Sequence, residues 1–230
     1  MSITSNHSLP RPNFTDNEGR NRYIGDNLIH ENIHSILNVG SGGKRHLYNY
    51  LSEIKPHTEV FDIDMQGECD LKINLDQIDR LPFGDDKFDT AISLDNLEHL
   101  ESFYLIFDEL IRVAAKEVII SLPIGPSEIP STVLLGRRYI NRPRNLTGAY
   151  SKFYGLPLEA PIDRHRWFLY YEDITEFMEH HLSKNPEHSV EIIHPKVVGI
   201  RKLLKAFMPR RIFNNFFTPY LMIIIKKKLN

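Results

Sequence analysis

The apolar run Ile36-Leu37-Asn38-Val39 ends at Gly40-Ser41-Gly42-Gly43, and a charged, helix-compatible segment follows at once. A buried strand that runs straight into glycines lets the backbone turn sharply and approach a ligand without Cβ interference. The helix that follows offers unpaired backbone N–H groups at its start. In open α/β sheets, ligands sit at the carboxyl ends of strands where the strand order switches. The stretch therefore predicts a strand-turn-helix unit with a ligand at the turn, and a tight turn without ligand is the bland alternative.

The alternation continues. Ser35 to Val39 reads as strand one and Lys44 to Ile54 as a helix, with Leu47, Tyr50, Leu51 and Ile54 at spacings of three and four. Thr58 to Ile63 reads as strand two, Asp70 to Leu75 as a short third strand, and Thr90 to Leu94 as strand four. Asn96 to Ala114 reads as one helix and Glu117 to Leu122 as strand five, closed by Pro123. This is the pattern of an α/β fold: a doubly wound, mostly parallel, Rossmann-like sheet. About seven strands are expected. Tyr220 to Ile225 is the last, antiparallel in the family named below, and an insertion follows strand five.

Three domain-level expectations accompany this reading. The polar, Pro/Asn-rich residues 1–30 form a flexible N-terminal arm without an apolar signal core. Residues 31–230 form the main domain. Residues 125–169, interrupted by five prolines, form a substrate-side insertion. Glu172 to His181 reads as a helix, Val190 to His194 as a strand and Ile200 to Phe207 as a short helix.

With 230 residues, 41% hydrophobic and 25% charged, the chain has the composition of an ordinary globular domain. A net charge of −2 gives no electrostatic case for nucleic acid as a partner. One cysteine, Cys69, allows no internal disulfide and fits a reducing cytoplasm. Phe216 to Ile225 is far short of the roughly 20 apolar residues of a spanning helix, so no transmembrane segment is expected. His180, His181 and His188 lack an acidic partner at ligand spacing, and no metal is expected. The oligomeric state is not written in the chain.

Asp62 follows Gly42 by twenty positions, the offset of the ribose-binding acid in dinucleotide folds. A carboxylate is acceptor-only and suits two vicinal hydroxyls. Asp64 is the fallback. Arg45 stands where the third glycine of the dinucleotide fingerprint belongs, which weakens an NAD reading.

Here the sequence resembles the class I S-adenosylmethionine-dependent methyltransferases, closest to the methyltransferase type 11 pattern. ILNVGSGGK is similar to the first motif, EVFDID to the second, and LPFGDDKFDTAISLDNLEHL to the stretch that ends in Leu-Glu-His. ELIRVAAKEVIISLP resembles the helix and strand that follow. The resemblance covers about residues 33 to 123 and the last strand. It implies S-adenosylmethionine as cofactor and methyl transfer as the activity. It implies that Gly40, Ser41 and Gly42 line the methionine part, that Asp62 binds the ribose, that Asn74 and Leu75 lie near the adenine and that Leu94 backs the cofactor. Asn38 replaces the usual acidic residue of the first motif and is a cofactor-binding candidate, since an amide can still hold the loop or receive the ligand's ammonium through its carbonyl. That substitution keeps open a non-catalytic cofactor-binding or scaffold role, and an NAD-dependent oxidoreductase is the remaining alternative.

The acceptor side is expected in the insertion. Arg137, Arg138, Arg142, Arg144 and Lys152 interleave with Tyr139, Tyr150, Phe153 and Tyr154. Such a segment suits a small acceptor that is anionic or sugar-containing, a sugar hydroxyl of surface-polysaccharide biosynthesis among them, or it is simply a solvated basic loop. His165, between Arg164 and Arg166, is the candidate catalytic base.

Overall fold

The computed structural model describes residues 3–5, 9–14, 16–129 and 165–228. Residues 130–164 of the insertion expected at 125–169, with its Arg/Tyr-rich stretch, lie outside the described residues.

The strands are β1 (Thr4–Ser5), β2 (Ser35–Val39), β3 (Glu59–Asp64), β4 (Leu71–Lys72), β5 (Phe88–Leu94), β6 (Ala114–Pro123), β7 (Ser189–Ile193) and β8 (Tyr220–Lys226). They form one sheet in the order β1-β7-β8-β6-β5-β2-β3-β4. The pairs β4–β3–β2–β5–β6 are parallel, and β8 runs antiparallel to both β6 and β7. The sheet thus contains the expected seven strands plus the two-residue β1, paired in parallel with β7.

The helices are α1 (Asn17–Asn27), α2 (His46–Ile54), α3 (Phe103–Val113), α4 (Tyr171–Lys184), α5 (Ile200–Phe207) and α6 (Arg210–Phe217). Apolar residues on both faces of the sheet separate into two layers of core. Leu37, Val39, Ile63, Val118 and Ile120 pack with α3 and α4 residues such as Phe107, Leu110, Ile174 and Met178. Ile36, Ile92, Ile119 and Met222 pack with Ile24, Leu47 and Leu51 of α1 and α2. Burial on both faces explains why the strands read as continuous apolar runs rather than alternating ones.

The first correction is the N-terminal arm. Residues 17–27 form a helix packed on the sheet, with the Asp16 carboxylate capping it through Gly19 N at 2.7 Å. Ile24 is fully buried, Leu28, Ile29 and Ile33 follow it into the core, and Phe14 stacks on Tyr220 with ring centroids 4.9 Å apart. Each such side chain contributes about 1.5–3 kcal/mol on burial. A few well-placed apolar residues outweigh a polar composition, which is why the composition misleads.

Three local differences matter for the site. The helix after the glycines starts at His46, because Arg45 takes φ +50° and Lys44 bridges to Glu68. The third strand shrinks to Leu71–Lys72, and Asn74 caps a single 3-10 turn, Leu75–Gln77, through Asp76 N at 3.1 Å. The single helix expected over 96–114 is a 3-10 turn, Leu97–His99, followed by α3, whose first residues are held by Asp76 through the Ser102 N–H (3.0 Å) and Oγ (2.9 Å). α6 was not foreseen. Among the described residues no helix is long and apolar enough to cross a membrane.

Candidate active site

β2 pairs with β3 on one side and β5 on the other, and the chain departs from β2 in one direction and returns in the other. The carboxyl end of β2 is therefore the topological switch point, where open α/β sheets place their ligands. The glycine corner sits there. Gly40 has φ +74° and Gly42 φ +72°, values that favour glycine. A Cβ on Gly40 would lie 2.3 Å from Asn96 Cγ, so the two chain segments touch only because Gly40 has no side chain. A Cβ on Gly42 would meet nothing within 4 Å, so this side of the corner is open.

The acidic residues divide differently from expectation. Asp62 lies within β3 and is fully buried. One carboxylate oxygen accepts from Asn38 Nδ2 at 2.7 Å and the other from Arg45 Nε at 3.0 Å. The other end of the Arg45 guanidinium reaches Asp70 at 2.8 Å, and Asp70 also accepts from the Asp62 N–H at 2.8 Å. Burial pushes the Asp62 carboxyl upward, against the lowering effect of the Asn38 and Arg45 bonds. The Asp62 carboxylate, expected at the ribose, thus points into a closed polar network and is fully buried. Asp64, two residues on at the strand's end, occupies the corner. Its carboxylate accepts from Gly42 N at 2.8 Å and from Gln66 N at 3.0 Å.

Asn38 finds its reason in the same network. It is the register partner of Asp62 across β2 and β3. A carboxylate at 38 would face another carboxylate in a dry strand pair, whereas an amide donates to it.

The Ser41 Oγ is buried and has no hydrogen-bond partner among the described residues. Leu94 closes β5 and is buried, 6% exposed, in the core layer shared with α1 and α2. Leu75 is likewise 6% exposed, in the opposite core layer, and the Asn74 side chain is spent on its cap.

Beyond Leu94 the chain turns through Asp95, whose φ of +46° is unusual for a residue with a side chain. Asp95 is held by Ser121, with Oγ donating to its carboxylate at 2.6 Å, and by an ion pair with Arg20 of α1. The N-terminal helix thus braces the active end of the sheet. This turn delivers Asn96 to Gly40 and Glu98-His99 to the same rim.

His165 is buried, 8% exposed, and stands against that rim. Its Nε2 lies 3.8 Å from Glu98 Oε1, His99 Nε2 lies 3.7 Å from the same oxygen, and the two imidazoles meet edge to face at 4.6 Å. His165, the candidate base of the sequence reading, thus stands beside two residues of the Leu-Glu-His stretch. The positions of Arg45, Asn96 and Glu98 were the parts sequence reasoning missed. Asp64 was already the fallback, from its position as the last acidic residue of a strand. His181 and His188 pair elsewhere, Nε2 to Nδ1 at 3.0 Å, with His181 pushed down to about 4 by burial.

This sheet order, with one strand antiparallel beside β6 and a glycine corner at the switch point, is the class I methyltransferase fold. Solved structures agree. Small RNA methyltransferase HEN1 matches 98% of this chain at a TM-score of 0.56 and 14% identity, and the match spans 27% of that longer chain. The plantazolicin methyltransferase BpumL, solved with a monoazolic desmethylPZN analog and SAH, matches 86% of this chain and 77% of its own at a TM-score of 0.50 and 11% identity. At such identities the likeness is one of fold. No family model matches the chain, and no curated protein does.

Proposed function

We propose that the chain transfers a methyl group from S-adenosylmethionine to a small acceptor presented on the Glu98–His165 side of the corner. The observation that carries this reading is the corner itself: an open Gly42, a buried Ser41 hydroxyl with no partner among the described residues and a carboxylate, Asp64, converge at the switch point of a methyltransferase fold. When bound, the cofactor supplies an activated methyl group on a sulfonium that is its own leaving group.

The residues fit that cofactor. Asp64 would hold the ribose. A carboxylate has about four acceptor positions, so it can keep the Gly42 and Gln66 amides and still take hydroxyls. Gly40, Ser41 and Gly42 would line the methionine part, with the Ser41 hydroxyl finding its partner there. Leu94 would back the site and the Asn74–Leu75 turn would border the adenine. The main task left to the protein is alignment of the acceptor, where proximity effects are largest. His165 would face the acceptor's hydroxyl and take its proton, with the Glu98 carboxylate at 3.8 Å favouring the resulting imidazolium.

The acceptor is a small molecule in this reading. HEN1 acts on small RNA by its name, but a net charge of −2 gives this chain no pull on a polyanion. The five cations and four aromatics between residues 137 and 154 support an anionic or sugar-bearing acceptor.

The test is turnover. The purified chain with S-adenosylmethionine and fractionated small metabolites should release S-adenosylhomocysteine in a fraction-dependent manner, and His165→Ala should lower the rate without changing cofactor affinity. Cofactor binding with no release from any fraction would instead support a scaffold.

A further inference from the structure

We infer that Glu98, His99 and His165 form a seat for one divalent transition-metal ion. The three side chains come from two segments more than sixty residues apart. Those segments are fastened to each other by backbone and side-chain bonds around the cluster. Arg166 N and Trp167 N both donate to Glu98 O, at 2.8 and 3.2 Å. Arg166 Nε donates to His99 O at 2.8 Å and Trp167 Nε1 to Leu100 O at 2.6 Å. The approach of His165 to Glu98 and His99 is thus set by the fold around it.

One donor atom from each residue lies within 4.8 Å of the other two. The two Nε2 atoms stand 3.7 and 3.8 Å from Glu98 Oε1. Those separations exceed a hydrogen bond. They are close to the roughly 3.4 Å between two donors that each sit about 2.1 Å from a shared tetrahedral ion. One carboxylate and two neutral imidazoles would offset part of a double positive charge in a site where Glu98 is fully buried. Two imidazoles favour zinc, cobalt or iron over magnesium or calcium, which prefer all-oxygen shells. Three donors among the described residues would leave a position for a further ligand, as in catalytic rather than structural sites.

The seat lies at the carboxyl end of β5, beside the corner. If the methyl-transfer reading holds, the open position would take an acceptor hydroxyl and make it more acidic, its proton leaving to solvent water, and in the metal-loaded chain His165 would serve as ligand in place of the base role it has in the metal-free one. Ion binding itself does not depend on that reading.

The test uses the full chain, stripped with a chelator, then titrated with zinc by calorimetry and with cobalt by visible absorption. One saturable equivalent is expected, with cobalt d–d bands. His99→Ala and His165→Ala should each weaken uptake at least tenfold. His188→Ala, which removes a separate histidine pair, should leave it unchanged. Absence of saturable uptake by the native chain overturns the inference, as does uptake of unchanged affinity in both His99→Ala and His165→Ala. Metal-free titration with S-adenosylhomocysteine, run on every variant, reports folding and separates the two ideas. Cofactor without metal removes this inference alone, and metal without cofactor removes the proposed function alone.

Discussion

Arg45 and Asp62 are joined across the first turn of the sheet, Nε to carboxylate at 3.0 Å, with Asp62 fully buried and Arg45 partly exposed. The residue that breaks the dinucleotide fingerprint is thus the counter-ion of the residue expected to bind ribose. Removing the guanidinium leaves a buried carboxylate with only Asn38 as a side-chain donor. Arg45→Met should lower unfolding free energy by about 1–3 kcal/mol, read from urea titration. Asp62→Ala should act in the same direction, as a stability defect before it is a binding defect.

Asp64 carries the opposite expectation. It stands at the end of β3 and its partners are the Gly42 and Gln66 amides of the corner. Asp64→Ala should cost little stability and weaken S-adenosylhomocysteine binding roughly ten- to a hundredfold, the loss of a charge-assisted contact of about 1.5–3 kcal/mol. Calorimetry on the two aspartate variants side by side distinguishes their roles.

The contact between Gly40 and Asn96 predicts a coupled pair. Gly40→Ala places a Cβ 2.3 Å from Asn96 Cγ on a backbone of φ +74°, whereas Gly42→Ala meets only the backbone penalty. Gly40→Ala should therefore be the more destabilising in thermal melts. Adding Asn96→Ala should recover part of the loss, a non-additive outcome expected only of touching residues.

Glu117 makes a pH prediction. It lies on β6, 7% exposed, and burial pushes its carboxyl from 4.5 up to about 7. A carboxyl raised in the folded state adds stability that is fully present below its ordinary value and is lost as pH climbs from about 4.5 through about 7. The decline amounts to about 3 kcal/mol at most. Glu117→Gln should remove that decline, so the variant should melt above the native protein at pH 8 and near it at pH 4.

The glycine corner, the parallel core strands and the position of the last strand were readable because each depends on local sequence: an apolar run, a breaker, a helical period. A count of residues does not separate Asp62 from Asp64: the two lie on the same face of β3, and they differ in that Asp62 sits inside the strand pair and Asp64 at its open end. The Asn38–Asp62 register puts an amide donor opposite Asp62, a pairing that no residue count contains. The N-terminal helix was missed because Arg20 and the preceding Phe14 act through partners far away in sequence, Asp95 and Tyr220. The Glu98–His99–His165 cluster was invisible for the same reason: its members share a site only after residues 165–167 dock on the turn at 97–99.

The most direct measurement is calorimetric titration of the native chain and Asp64→Ala with S-adenosylhomocysteine. The account predicts one site on the native chain and a clear loss of affinity in the variant at unchanged fold. No heat from the native chain, or equal affinity in both, would contradict it.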